Sequence, residues 1–277
     1  MKIVFLLCLT LFSLEAKRII TLSPAVNEIV YALGKGDEVI ANTQYCNFPK
    51  RTQKLPKVGG YYAISIEKVL ALKPTLIILE KNNLALKPKF EKLGLEVLDI
   101  STTSLQALEN SFARIGQKID AKEEAKKLIT SLKNSLIQTQ NILKNRQILI
   151  VFGSHLDLRK QVYVSGNHLY FADIIRQSGN QNAYHDKTNK QPALSYEGLI
   201  ASNPDIIIIL APYAKTQNRS KKSIIKPWLN MPITAAKYKT IYVIDKEYAG
   251  IPSDRVRLFI HDFKGTLHDA KDKLPKL

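Results

Sequence analysis

Aromatic and polar side chains in the loops of this sequence could bind a flat ligand. Tyrosine offers a wide apolar face and a polar hydroxyl, so several tyrosines around one crevice would suit a macrocycle or an aromatic chelate. The candidates follow predicted strands or lie in nearby loops, and they are Tyr45, Tyr61, Tyr62, Tyr170, Gln191, Tyr213 and Tyr248. Arg255 could pair with a carboxylate or phosphate on the ligand, while its neighbour Asp254 could equally cap a helix. For any single tyrosine, partial burial in a core is an equally good interpretation.

Histidines provide the candidate metal ligands. His155 follows a predicted strand, and His168 and His185 lie in loops near it. An imidazole nitrogen or a tyrosine phenol oxygen could ligate a metal centre. None of the three histidines shows the short spacing of a typical metal site, so His155 and His168 are retained only as secondary candidates.

Motifs of common enzymes are missing from the sequence. It contains no Gly-x-Ser-x-Gly elbow, no Walker loop, no His-Glu-x-x-His helix and no Gly-x-Gly-x-x-Gly turn. A hydrolase built from scattered Ser, His and Asp residues remains an alternative. The sequence favours a binding protein over an enzyme.

An internal repeat organises the chain. Residues 65–78 align without a gap on residues 195–208, with six identical positions at an offset of 130. Each copy predicts a short helix with a Ser N-cap that ends before Pro and leads into a buried strand. Apolar strands that alternate with helices indicate parallel sheets covered on both faces. We therefore predict two related α/β lobes, at residues 17–103 and 146–277.

The segment between the lobes, residues 104–145, predicts helices rather than a flexible linker. One helix is expected over 104–119, and a longer one over 120–144 with Asp120 as its N-cap. The longer segment contains no Gly or Pro, so it should be stiff. The predicted fold is α/β, with two Rossmann-like parallel-sheet lobes joined by a long rigid α-helix and a ligand cleft between them.

The first 16 residues have the layout of a cleavable signal peptide, with Lys2 before an apolar stretch too short to span a bilayer. We expect export to the periplasm. Cys46 would then be the only cysteine, predicted to be a half-buried free thiol. The net charge of +17 would attract anionic partners, but export and the even spread of lysines argue against nucleic acid.

Several motifs resemble one known family, the binding proteins of ABC transporters for cobalamin, haem and ferric siderophores. The resemblance covers essentially the whole mature chain. It rests on residues 18–34 (RIITLSPAVNEIVYALG), 45–49 (YCNFP), 58–61 (VGGY), 65–74, 164–168 (VSGNH), 179–182 (GNQN) and 245–255. The resemblance implies a periplasmic protein that takes a metal chelate, with iron or cobalt, to an inner-membrane permease. It implies no intrinsic cofactor.

The resemblance also assigns roles to particular residues. Members of the class carry an exposed Glu on each lobe that docks on the permease, and Glu67 and Glu197 match these positions. The helix dipole would favour each Glu separately, by about 0.3–1 kcal/mol, but does not account for their equivalence in otherwise divergent lobes. Gln191 stands where cobalamin-binding members have Trp. Trp228 matches a Trp that packs under the sheet of the second lobe.

The sequence leaves open both the identity of the ligand and alternatives to this class of protein. Ferric siderophore, haem, cobalamin and nickel chelate all suit an aromatic cleft. A zinc- or manganese-binding periplasmic protein, an exported hydrolase and a surface adhesin are the other interpretations, although the chain has only five His and the repeat would be unexplained in an adhesin.

Overall fold

Two four-stranded parallel sheets form the framework of the protein. The computed structural model describes residues 16–186 and 191–276. Its strands are β1 (Ile19–Thr21), β2 (Val39–Asn42), β3 (Leu76–Glu80), β4 (Val97–Ile100), β5 (Gln147–Phe152), β6 (Val162–Tyr163), β7 (Gln181–Asn182), β8 (Ala193–Leu194), β9 (Ile206–Leu210) and β10 (Ile241–Ile244). One sheet has the order β2-β1-β3-β4 and the other β7-β5-β9-β10, while β6 and β8 form an antiparallel pair. The two parallel sheets share one topology, which confirms the predicted pair of related α/β lobes.

Helices cover these sheets and join their strands. They are α1 (Pro24–Ala32), α2 (Ile66–Ala71), α3 (Lys87–Lys92), α4 (Leu105–Lys118), α5 (Lys122–Ile137), α6 (Tyr170–Gln177), α7 (Tyr196–Ser202), α8 (Lys221–Ile225), α9 (Thr234–Lys237) and α10 (Val256–Lys273). Residues at its N-terminus stabilise the start of helix α1, because the Ser23 hydroxyl accepts a hydrogen bond from the Val26 N–H and Pro24 occupies the first turn. The two repeat segments are α2 leading into β3 and α7 leading into β9.

The central strands β1, β3, β5 and β9 are buried on both faces, as expected for a covered parallel sheet. All five residues of β9 are buried. Trp228 is completely buried in the core of the second lobe, as predicted. Cys46 is also completely buried, which corrects the expectation of a half-buried thiol, and the burial raises its pKa.

The connector consists of two helices that pack antiparallel. Lys133 on α5 pairs with Glu109 on α4 at 3.2 Å, and a Cβ at Gly116 would lie 2.6 Å from Ala125 Cβ, so the helices approach closely near their turn. Helix α5 begins at Lys122 and ends at Ile137, so it is shorter than the predicted 120–144. Asp120 is not the N-cap. It adopts a left-handed backbone with φ of 54° in the turn, and its carboxylate pairs with Lys17.

One hydrophobic core runs from the first lobe through the connector into the second. It contains Ile29 of α1, Phe112 of α4, Leu132 of α5, Phe171 of α6 and Phe259 of α10. Because interiors are close-packed, this shared core couples the two lobes mechanically. The lobe boundaries at 17–103, 104–145 and 146–277 remain a prediction from sequence.

The predicted signal peptide lies outside the described residues, except for Ala16. Among the described residues, every helix is too short or too polar to cross a membrane.

Candidate ligand-binding cleft

A cavity of about 420 Å³ lies between the two lobes. Its lining comes in equal parts from both halves of the chain. The residues are Pro24, Glu28, Tyr45, Asn47, Phe48 and Tyr61 from the first half, and Pro212, Tyr213, Glu247, Gly250, Ile251 and Arg255 from the second. The cavity occupies the interlobe position that the sequence predicts for a ligand cleft.

The fold explains this location, because the lining segments follow the carboxyl ends of strands. Pro24 follows β1, the loop with Tyr45 follows β2, Tyr213 follows β9, and Glu247 follows β10. Ligands of open α/β sheets bind at this end of the strands.

Tyrosines form the aromatic walls of the cavity. The rings of Tyr45 and Tyr61 meet edge to face with centroids 6.4 Å apart, and Tyr62 packs edge to face on Tyr61 at 4.9 Å. Tyr45 is 54% exposed and Tyr213 is 66% exposed, so large aromatic faces are open to a ligand. Burial, together with the nearby Glu80, raises the pKa of Tyr61, and its hydroxyl accepts a hydrogen bond from Asn82 at 2.5 Å.

A buried polar network holds the loop that carries Tyr45 and Phe48. The Asn27 side chain donates to the Phe48 carbonyl at 2.9 Å, and its carbonyl oxygen accepts from Asn42 at 3.1 Å and from Thr52 at 3.0 Å. All three polar side chains are completely buried. Because breaking such a network would leave buried polar groups unpaired, the loop is fixed before a ligand arrives. Sequence reasoning missed it, although polar Asn42 at the end of an apolar strand was a signal.

An ion pair crosses the cleft between Arg255 and Glu28. The Arg255 Nε donates to Glu28 Oε2 at 2.9 Å, and its Nη2 donates to the other carboxylate oxygen. The guanidinium carbon also lies 3.9 Å from the centroid of the Phe48 ring. The side chains are only 9% and 2% exposed. Arg255 therefore lines the cavity as predicted, but it is already engaged by two residues of the other lobe. Sequence reasoning missed Glu28 as its partner.

Asp254 precedes Arg255 in the sequence, and its carboxyl group has a raised pKa. Burial and the Glu28 charge raise the pKa of Asp254 to about 6. It does not cap α10, where Arg255 holds the N-cap position without a side-chain hydrogen bond.

Four of the aromatic or polar candidates lie away from the cavity wall. Tyr170 is corrected to a core residue, because it is 4% exposed and stacks on Phe171 with centroids 4.1 Å apart. The Tyr248 hydroxyl donates to Asp262 at 2.6 Å, and the Gln191 amide donates to the Val164 carbonyl at 2.5 Å. Tyr62 is 77% exposed and touches the cavity only through Tyr61. The structure thus brings together Tyr45, Tyr61, Tyr213 and Arg255.

The candidate metal ligands lie apart from these tyrosines. A ring nitrogen of His155 lies 2.8 Å from the Phe152 carbonyl oxygen, and the His168 ring lies beside Gly166. Neither histidine lines the cavity. Across residues 16–186 and 191–276, no three His, Cys, Asp or Glu residues gather as a metal site would require.

Glu67 and Glu197 occupy equivalent exposed positions in the first turns of α2 and α7. The N-cap serines of both helices make the same contact, accepting from the backbone N–H of Lys68 and of Gly198 at 3.2 Å. The Glu197 N–H and the Ser195 hydroxyl lower the pKa of Glu197, so its carboxylate stays charged at neutral pH.

A cleft between two related parallel-sheet lobes, braced by helices, defines the protein as a two-lobed binding protein. A family model described as periplasmic binding protein matches residues 19–248. The chain therefore belongs to the periplasmic binding protein family. The solved neighbours include periplasmic proteins that bind haem and vitamin B12.

Known relatives agree with this assignment. The vitamin B12-binding protein of Yersinia pestis (strain Pestoides F) is 25% identical over 232 residues, which cover 82% of this chain and 80% of that protein. Among solved structures, the periplasmic vitamin B12-binding protein BtuF of Vibrio cholerae matches with a TM-score of 0.77 at 21% identity, covering 92% of this chain and 98% of that one. The periplasmic haem-binding protein HutB of Vibrio cholerae matches with a TM-score of 0.76 at 21% identity, covering 91% and 99%. These structural similarities establish the fold.

Proposed function

We propose that this protein binds one metal chelate of the tetrapyrrole or siderophore type in its interlobe cleft and delivers it to an ABC-transporter permease. The observation that carries the proposal is the cavity of about 420 Å³ with tyrosines contributed by both lobes. Cavities of this size and aromatic character are typical of small-molecule sites. The relatives that bind vitamin B12 and haem support the same class of cargo.

The cavity geometry suits a flat ligand. Tyr45 and Tyr61 on one side and Tyr213 on the other present apolar ring faces with hydroxyls at their tips. A macrocycle between them would bury its faces on the rings and receive hydrogen bonds at its edge. A tyrosine oxygen is also a suitable ligand for a hard ferric ion.

Delivery would use the two exposed glutamates. Glu67 and Glu197 stand in the same turn of equivalent helices, one on each lobe. A permease built from two similar halves would meet one carboxylate per half, and arginine is the residue best suited to bind it in a bidentate manner. The signal-like residues 1–16 support a periplasmic location for this encounter.

Direct titration tests the proposal. The purified mature protein is titrated with cyanocobalamin, ferric protoporphyrin, a ferric hydroxamate, Zn²⁺ and Mn²⁺, and binding is followed by absorption and calorimetry. We expect saturation by at least one chelate at one molecule per chain and no saturation by the free ions. Tight binding of a free ion would support the ion-binding alternative instead. Turnover of ester or phosphate substrates without chelate binding would support a hydrolase.

A further inference from the structure

The charge of the cleft differs from the charge of the protein. The chain carries a formal net charge of +17, yet the cavity is lined by two carboxylates, Glu28 and Glu247, and a single cation, Arg255. One positive and two negative charges leave the lining at −1. This count covers the described residues that line the cavity. A basic protein therefore presents a mildly acidic wall to its cargo.

The single cation is already neutralised. Arg255 makes a two-point contact with the Glu28 carboxylate, and the Phe48 ring covers its face at 3.9 Å. The Ser253 hydroxyl donates a further hydrogen bond to Glu28. A ligand carboxylate that took Arg255 would leave Glu28, only 2% exposed, as a buried charge without its partner.

The other polar groups of the lining suit neutral partners. The Tyr45 and Tyr213 hydroxyls and the Asn47 side-chain amide can exchange hydrogen bonds with amides or hydroxyls. A ligand carboxylate would instead meet Glu247, which has the same charge, while Arg255 stays occupied by Glu28. This like-charge contact disfavours a carboxylate-bearing ligand.

We infer that Glu28 is a specificity-determining residue, and that by occupying Arg255 it makes the cleft select chelates with a neutral or cationic periphery over carboxylate-bearing ones. The inference rests on the proposed function and adds the charge class of the cargo. If the cleft selects in this way, an amide-bearing macrocycle suits its charge better than a porphyrin with free carboxylates.

Matched pairs of probes test the inference, because they differ only in charge. The probes are cyanocobalamin against its monocarboxylic acids, and ferric protoporphyrin bis-amide against ferric protoporphyrin itself. In the wild-type protein we expect the neutral member of at least one pair to bind about tenfold or more tighter, because the acid member makes one like-charge contact with the cleft. Added salt should weaken this preference, since screening reduces the repulsion of the acid.

Variants separate a specificity role from a structural one. Glu28→Gln frees the Arg255 charge, so the acid probe should gain affinity relative to the neutral probe. A residue with only a structural role would weaken both probes equally. Glu123→Gln, an exposed acid-to-amide change on α5, is the matched control and should leave the ratio unchanged. If Glu28→Gln does not fold, Glu247→Gln provides the second variant. It should reduce the preference for the neutral probe over the acid probe.

The outcomes are distinct for the two proposals. Tighter binding of the carboxylate forms by the wild-type protein would overturn this inference and leave the chelate-binding function standing. An unchanged ratio in Glu28→Gln, or in Glu247→Gln where Glu28→Gln does not fold, would do the same. Failure of all four probes and of a ferric hydroxamate would overturn the proposed function, and this inference with it.

Discussion

Ser65 and Ser195 lie 130 residues apart and make the same contact in the two lobes: each hydroxyl accepts a hydrogen bond at 3.2 Å from the backbone N–H three residues later. Each serine caps a short helix that leads into a central buried strand, β3 or β9. Because the two capped helices are equivalent, Glu67 and Glu197 both lie in the first turn of their helix. It also shows that the repeat found in the sequence is a repeat of structure.

Removing both exposed glutamates should uncouple the protein from its transporter. We expect Glu67→Ala with Glu197→Ala to leave chelate affinity unchanged, because neither residue lines the cavity. Loss of charge-assisted contacts costs about 2 kcal/mol or more, so stimulation of the permease complex should fall by about thirtyfold or more. The assay is ligand-dependent ATP hydrolysis by the reconstituted transporter, with Glu123→Ala as control. Normal stimulation combined with lost chelate binding would contradict the docking role.

Breaking the Glu28–Arg255 pair should destabilise the protein, because either single change leaves a buried charge. We expect Glu28→Met or Arg255→Met to lower the free energy of unfolding by about 3–5 kcal/mol. The double change Glu28→Met with Arg255→Met should cost less than either single change, since it removes both charges. Urea denaturation measures all three. A double variant as unstable as the sum of the singles would show that the two residues do not interact.

Asp254 should make the protein more stable at mildly acidic pH. Burial and Glu28 raise its folded-state pKa to about 6, above the unfolded value of about 3.9. Between these two values the folded state binds more protons than the unfolded state, so this contribution to stability falls as pH rises through about 4 to 6. Asp254→Asn should remove that dependence and raise stability at pH 7 by about 3 kcal/mol. Thermal unfolding of both proteins across pH 4.5–7.5 provides the measurement. Each unit of pKa difference between the folded and unfolded states corresponds to roughly 1.4 kcal/mol of stability. Parallel stability profiles for the two proteins would contradict the shifted carboxyl.

Ligand binding should produce little closure of the lobes. The shared core through Phe112, Leu132 and Phe259 and the hydrogen bond from the Leu105 N–H to Asp173 at 2.9 Å tie the lobes together without a flexible linker. We expect the radius of gyration from X-ray scattering to change by less than about 1 Å on saturation with a chelate. A large decrease would show that the lobes swing as hinged bodies.

Local sequence signals predicted the framework well. The Ser caps, the Pro after each short helix and the apolar β9 strand are all short-range features, and they sufficed for two parallel-sheet lobes. The end of α5 was not predicted, because residues 138–144 lack a strong helix breaker and form turns in the folded protein. Asp120 was misassigned because an acidic residue before a helix resembles an N-cap, whereas here the turn between α4 and α5 imposes a left-handed backbone.

The site was predictable only in part. Tyr45 and Tyr213 follow strands, Tyr61 lies in a loop, and all three line the cavity as their positions suggested. Tyr170 also lies in a loop-to-helix region, but its helix turns it toward Phe171 and the core. The partner of Arg255 could not be found by local reasoning, since Glu28 is 227 residues away and only the docking of the lobes joins them.

The most direct test of the account is a chelate titration of the wild-type protein and of a cleft variant. The ligand is cyanocobalamin or, if that does not bind, whichever of the titrated chelates does. The wild-type protein should saturate with it at one molecule per chain. Tyr45→Ala with Tyr213→Ala should raise the Kd by about tenfold or more, from the loss of two aromatic contacts. Tyr163→Ala, a similarly exposed tyrosine outside the cavity lining, should bind as the wild-type protein does. An unchanged Kd in the cleft variant would contradict the claim that cargo binds between the lobes.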